Sequence, residues 1–199
     1  MAKPFRRRRT LLYKGLAHVH QKGVVLSKPT PDLSILTGTA NGSALRDFGI
    51  RIAKDGTWYH NGLPFTRKAL VKLFSTVMQR AETGEYLLAT PVERGTIEVE
   101  DAPFVAVEMV VAGEGEAQTL KFRTNVDDWV TADADHPIWL NVADDHEEPR
   151  PYVLVRPGLE ALIVRPVFYD LIDLADENPD GSLSVRSGGI SHHLGHAEE

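Results

Sequence analysis

Between residues 86 and 164 the chain is cut into eight short apolar stretches (86–89, 97–100, 104–111, 119–123, 129–130, 138–140, 152–155 and 161–164), each bounded by turn-forming residues. Stretches this short are too brief for ordinary helices, so this region has to bury its apolar groups by pairing strands. Gly113-Glu114-Gly115-Glu116 and Arg156-Pro157-Gly158 suit hairpin turns, and the pattern predicts an antiparallel meander. A helical bundle is excluded.

The flanking segments add helices. Ile50-Arg51-Ile52 alternates, meets the turn signal Asp55-Gly56, and resumes at Thr57-Trp58-Tyr59-His60 before a second turn at Asn61-Gly62, which reads as a β-hairpin. Thr66 can cap a helix beginning beside it. Leu70, Leu73, Phe74 and Val77 then share one helical face, predicting a helix to about Arg80 that ends near Thr83-Gly84. A second helix is expected from Pro166, with Phe168, Leu171, Ile172 and Ala175 on one face and a stop at Asn178-Pro179-Asp180-Gly181. Arg67, Leu70, Leu73, Phe74 and Val77 recur at a constant offset as Arg165, Phe168, Leu171, Ile172 and Ala175. That recurrence reads either as internal duplication or as the spacing any two amphipathic helices share. Strands followed by one amphipathic helix is also the order of a pleckstrin-homology-like fold, in which the helix plugs a curved sheet.

The expected class is therefore α+β: duplicated hairpin-helix motifs, with the C-terminal half a curved antiparallel sheet closed by one helix. Residues 27–43 hold too little apolar content for a core, so structure is expected from Leu45. The expected organisation is a basic, flexible arm over 1–44, an N-terminal α+β subdomain over 45–92, a pleckstrin-homology-like subdomain over 93–178, and a flexible tail over 179–199.

Composition narrows the chemistry. With no cysteine in 199 residues, disulfides, thiolate metal sites and cysteine nucleophiles are excluded. Residues 1–31 carry eight Lys/Arg and no acid, which leaves 14 bases against 28 acids in the remainder. A body that acidic repels phosphate backbones, so nucleic-acid binding would rest on the arm alone. The apolar stretch after Arg6 to Arg9 is too short for a secretory leader, and a cytoplasmic protein without membrane association is expected.

The stretches Asp55-Gly56-Thr57-Trp58-Tyr59-His60-Asn61-Gly62, 67–74, Thr90-Pro91-Val92-Glu93-Arg94, 99–106, Asp135-His136-Pro137 and 155–161 resemble the domain-of-unknown-function family numbered 1285. The resemblance runs over about 45–175. It implies a two-part α+β core with duplicated motifs, a pleckstrin-homology-like C-terminal half, a signalling role and a nucleotide-like ligand bound between the halves. It implies no catalytic residue.

The residues themselves offer several site candidates. Thr90, Glu93, Arg94, Glu100 and Asp101 concentrate charge between two apolar strands. Arg94 can fork onto a phosphate while Glu100 or Asp101 accepts from a ribose or base; equally, the segment can be a structural corner. Arg67 and Arg165 stand at the two helix starts, where backbone N–H groups favour anions, or merely pair locally. Arg156 is a further cationic candidate. Trp58 and His60 share a strand face that either stacks a base or packs the core. Asp127, Asp128, Asp133, Asp135 and His136 lack metal-ligand spacing, and His192, His193 and His196 in a Gly-rich end suit adventitious chelation, so no metal or cofactor is expected. Phosphate-loop and serine-nucleophile motifs are absent from the sequence. Three functions stay open: a regulatory module binding a small nucleotide-like ligand between the halves, a hydrolase using His60, Asp135 and His136, or a protein-interaction scaffold with an unknown protein partner.

Overall fold

The computed structural model describes residues 45–141 and 149–196, which leaves the arm 1–44 outside the described residues. The expected hairpin is present. Strand β1 (Arg46–Ile52) pairs antiparallel with β2 (Trp58–His60), which pairs with β3 (Leu63–Pro64). Asn61 at φ 48° and Gly62 at φ 82° make the turn between β2 and β3, two successive left-handed residues of the kind that match strand twist. Gly49, at φ 61°, forms the irregularity in β1, and a side chain there would collide with Asn61.

Helix α1 (Lys68–Thr76) buries Phe74 but ends earlier than expected, because Met78–Arg80 forms strand β4 and pairs with β5 (Tyr86–Ala89). Thr83-Gly84 is the turn of that hairpin, with Gly84 at φ 90°, and not a helix stop. Arg67 occupies the position before the helix, and Thr66 makes no capping bond there. Strand β6 (Arg94–Val99) pairs antiparallel with β5 and parallel with β1, giving a six-stranded sheet in the order β3-β2-β1-β6-β5-β4. Because β6 belongs to this sheet, the junction between the halves lies at residues 100–103 and not at 92/93.

The second sheet contains β7 (Phe104–Ala112), β8 (Thr119–Thr124), β9 (Trp129–Thr131), β10 (Ile138–Asn141), β11 (Arg150–Arg156) and β12 (Leu159–Ile163), in the order β10-β11-β12-β7-β8-β9. It curls into a half-barrel. The expected purely antiparallel meander is corrected by one parallel pair, β12 with β7, which sets Leu162 beside Val105 and Ile163 beside Ala106. Each sheet is thus two three-stranded meanders joined through a parallel pair of its first and last strands. The helices break the parallel between the halves. Helix α1 joins the third and fourth strands of its sheet, whereas α2 (Arg165–Ile172) comes after the sixth strand of the other. Val167 and Leu171 of α2 enter the core. The class is α+β, with strands dominant.

The largest departure concerns the expected tail. After β13 (Asp176–Glu177), strands β14 (Ser182–Ser187) and β15 (Ile190–His196) form a three-stranded sheet, with Val185 and Leu194 buried. This hairpin spans the two edges of the half-barrel. The Ser187 hydroxyl donates to the Ala132 carbonyl at 2.6 Å and accepts the Leu120 N–H at 2.8 Å, beside β8 and β9. On the other edge, His192 Nδ1 accepts the Ile138 N–H of β10 at 3.1 Å. A buried Nδ1 that accepts must be unprotonated, so the imidazole is neutral there. Burial holds its pKa below the ordinary 6.5, while the Ser187 backbone and the Asp133 carboxylate pull the other way.

Two outcomes are expected. Leu194→Ala should cost about 2–5 kcal/mol in urea unfolding; a cost below about 0.5 kcal/mol, the range of surface changes, would return the hairpin to a loose tail. Because the folded His192 binds its proton more weakly than the unfolded chain does, its stability contribution is complete above pH 6.5 and is lost as pH falls below that value. The urea midpoint should therefore drop between pH 7 and pH 5.5, and drop less in His192→Gln, whose amide oxygen can still accept from Ile138. Equal slopes in the two proteins would contradict this assignment.

Candidate functional site

Described residues of both halves lie within one compact unit, and the halves meet along a seam of polar ties. Lys68 and Lys72 of α1 reach Asp127 at 2.9 and 2.7 Å, and Arg123 reaches the same carboxylate at 3.0 Å and Glu108 at 2.6 Å. Asp127 turns the chain between β8 and β9 at φ 63°, and the lysine hydrogen bonds hold its carboxyl well below the usual range. Asn125 fastens the halves nearby. Its Nδ2 donates to the Gly56 carbonyl at 3.1 Å, and its Oδ1 accepts the Val105 N–H at 3.2 Å. Gly56 at φ 80° leaves no room for a side chain against Asn125 and Val105.

Further along, the Tyr86 hydroxyl donates to Glu160 at 2.8 Å, and Arg80 meets the same carboxylate at 3.4 Å while lying over the Tyr86 ring. Burial, and then Glu160, push the Tyr86 phenol far up. Arg156 donates to the Ser75 carbonyl at 2.7 Å, at the end of α1, and lies 5.3 Å above the Phe104 ring centroid. Finally Asp101, in the connector between the halves, accepts the Tyr152 hydroxyl at 2.7 Å and Arg150 Nη1 at 3.4 Å. Burial and that carboxylate push Tyr152 up to about 12. Its ring stacks on Trp139 at 5.7 Å.

The structure distributes the ten sequence candidates among several places. Asp101 and Arg156 belong to the seam. Thr90 and Glu93 close a tight turn through mutual hydrogen bonds of 2.8 to 3.0 Å, and Glu93 is buried against Arg46 at 3.5 Å; Arg94 is exposed beside them at the start of β6. Glu100 pairs with Arg51 and accepts the Lys54 N–H at 3.1 Å. Thr90, Glu93 and Glu100 of that segment thus take local partners. Trp58 is core, stacked on Phe74 at 6.5 Å and edge-on to Phe65 at 6.3 Å, and His60 lies beside the same Phe65. Arg67 is exposed before α1, and Arg165 is exposed at the first turn of α2.

For the hydrolase triad, His136 Nδ1 pairs with Asp133 at 3.0 Å in the turn before β10, Asp135 is exposed, and His60 contacts Asn61 and Phe65. No described hydrogen bond joins His60 to Asp135 or His136. Among the described residues no cluster of three or more metal-ligating side chains occurs.

A groove of about 680 Å³ is formed entirely by the second half: Pro149, Arg150 and Pro151 entering β11, Leu162, Ile163 and Val164 leaving β12, and Arg165, Phe168 and Tyr169 of α2. Its walls are mostly apolar, with two guanidinium groups and no carboxylate among the described lining residues. Arg150 is the point where groove and seam meet. Of the sequence candidates only Arg165 lines it. Arg150 and Tyr169 were missed, although an aromatic one helical turn after Arg165, outside the apolar set of Phe168, Leu171, Ile172 and Ala175, and an arginine set between two prolines were both signals in the sequence.

Comparison with known proteins settles the family. Residues 41–102 match "Domain of unknown function (DUF1285), N-terminal domain", and residues 103–194 match "Protein of unknown function (DUF1285), C-terminal domain". The chain belongs to the DUF1285 family. The boundary between the two DUF1285 domains falls in the connector that holds Asp101, and the C-terminal match reaches Leu194 within β15. A DUF1285 protein from Silicibacter pomeroyi DSS-3, of known crystal structure, is 42% identical at TM-score 0.72, over 86% of this chain and 90% of that one. A DUF1285 protein from Shewanella baltica OS155 is 25% identical at TM-score 0.51, over 63% and 91%. A search of curated proteins returns no match.

Proposed function

We propose that this DUF1285 protein is a regulatory module that binds a small, nucleotide-like anion in the groove between the β11 and β12 ends and α2. The observation that carries the reading is the groove's composition: two arginines, Arg150 and Arg165, and no described carboxylate, in a chain of net charge -6. Arginine forks match the oxygens of a phosphate, and an apolar wall with Phe168 and the 60% exposed Tyr169 suits the flat face of a base. The ligand site moves from the middle of the seam to a groove that touches the seam at Arg150.

A curled sheet followed by a helix supports likening the second half to pleckstrin-homology domains, and the shared strand order supports reading the two halves as copies of one six-stranded unit. Signalling and a cytoplasmic setting remain part of this proposal. Among the described residues no helix is long and apolar enough to cross a membrane. A second reading, a protein-interaction surface, rests on the outer face of β7 to β9, where Val110 is 42% and Trp129 is 50% exposed.

Calorimetric titration with adenosine monophosphate, adenosine and inorganic phosphate tests the reading. Adenosine monophosphate should bind at least tenfold tighter than either fragment. Arg165→Ala should weaken it roughly tenfold or more, the loss expected when a charge-assisted hydrogen bond is removed. No binding of adenosine monophosphate, or equal binding by the variant, would remove the groove from consideration and turn attention to the β7–β9 face.

A further inference from the structure

We propose that occupancy of the groove is coupled to the junction between the two halves by competition for Arg150, between the bound anion and Asp101. The inference rests on the groove reading above and adds a means of regulation to it.

Asp101 sits in the four-residue connector from β6 to β7, and its side chain is only 12% exposed. It accepts from two side chains of β11. The Tyr152 hydroxyl, at 2.7 Å, is a close contact, whereas Arg150 Nη1, at 3.4 Å, is near the limit of hydrogen bonding. Arg150, 42% exposed, also lines the groove. A guanidinium is planar and presents its donors in fixed directions, so turning one edge towards a phosphate in the groove changes the direction of every other donor. The 3.4 Å contact to Asp101 is among those such a turn breaks.

The consequence runs both ways. A carboxylate this enclosed, deprived of its cationic partner, keeps only Tyr152 among the described residues, so the anion's gain at Arg150 is opposed by the loss at Asp101. By linkage, the factor by which a bound anion loosens Asp101's hold on Arg150 equals the factor by which that hold weakens the anion, so weakening the Asp101 contact must tighten the groove's hold on the anion. Tyr152 carries the change onward, since it bonds Asp101 and stacks on Trp139, whose indole is a built-in reporter. An anion in the groove is in this way felt at the connector.

The test is adenosine monophosphate titration of the full chain and five variants, followed by calorimetry and tryptophan emission, with melting curves to establish folding. Asp101→Asn, which keeps the shape and removes the charge, should bind at least threefold tighter than the wild type. That gain should vanish in an Arg150→Met background. Tyr152→Phe leaves Asp101 with Arg150 as its remaining partner in this cluster, so it should bind more weakly and provides the opposite sign should Asp101→Asn not fold. If the wild type binds and Arg165→Ala weakens it, but Asp101→Asn binds no tighter or its gain persists without Arg150, the coupling is wrong and the groove reading stands. If adenosine monophosphate binds neither the wild type nor Asp101→Asn, both fall.

Discussion

The parallel pairing of β12 with β7 is the constraint on which the second half depends. Ala161, Leu162 and Ile163 lie beside Phe104, Val105 and Ala106, and the ladder ends with the Val164 N–H donating to the Ala106 carbonyl at 3.1 Å. A parallel neighbour cannot be reached by a tight turn, so the chain must travel through β8 to β11 before β12 returns to the side of β7. That journey puts β11, β12 and β7 next to one another, and α2 starts as soon as β12 ends. Arg150, the apolar end of β12 and Arg165 are brought to one groove by topology, since 14 positions in sequence separate the two arginines from each other.

A half-barrel has two free edges, and free edges invite pairing with other chains. Here the last hairpin occupies the gap. Ser187 satisfies backbone groups of Leu120 and Ala132 on one side, and His192 satisfies Ile138 on the other, while Val185 and Leu194 fill the space beneath. The polar side chains succeed in a buried setting because each finds a backbone partner, which is the condition for burying them at all.

Sequence periodicity revealed all six strands of the second sheet, most of those of the first and the first hairpin, because alternation and the Asn61-Gly62 turn are local signals. It did not reveal β4, since Met78–Arg80 continues the apolar spacing of α1 and only pairing with β5 pulls it out of the helix. The parallel pairs were equally hidden: nothing in residues 46–52 names residues 95–99 as neighbours. The last hairpin was misread because its composition is dominated by Ser, Gly and His, and its burial relies on hydrogen bonds that no apolar pattern announces. The site shows the same limit. Charge density drew attention to Glu93 and Glu100, whose carboxylates take local partners, and to Arg94, which is exposed, whereas Arg150 looked ordinary until the fold set it between Asp101 and the groove.

The central claim is that Arg150 and Arg165 act together on one anion. The most direct measurement is nuclear magnetic resonance of the arginine side-chain Nε–H groups during titration with adenosine monophosphate. The account predicts that the Arg150 and Arg165 signals shift together with a common dissociation constant, while that of Arg94, on the first sheet, stays still. Shifts confined to Arg94 or Arg67, or none at either groove arginine, would contradict it.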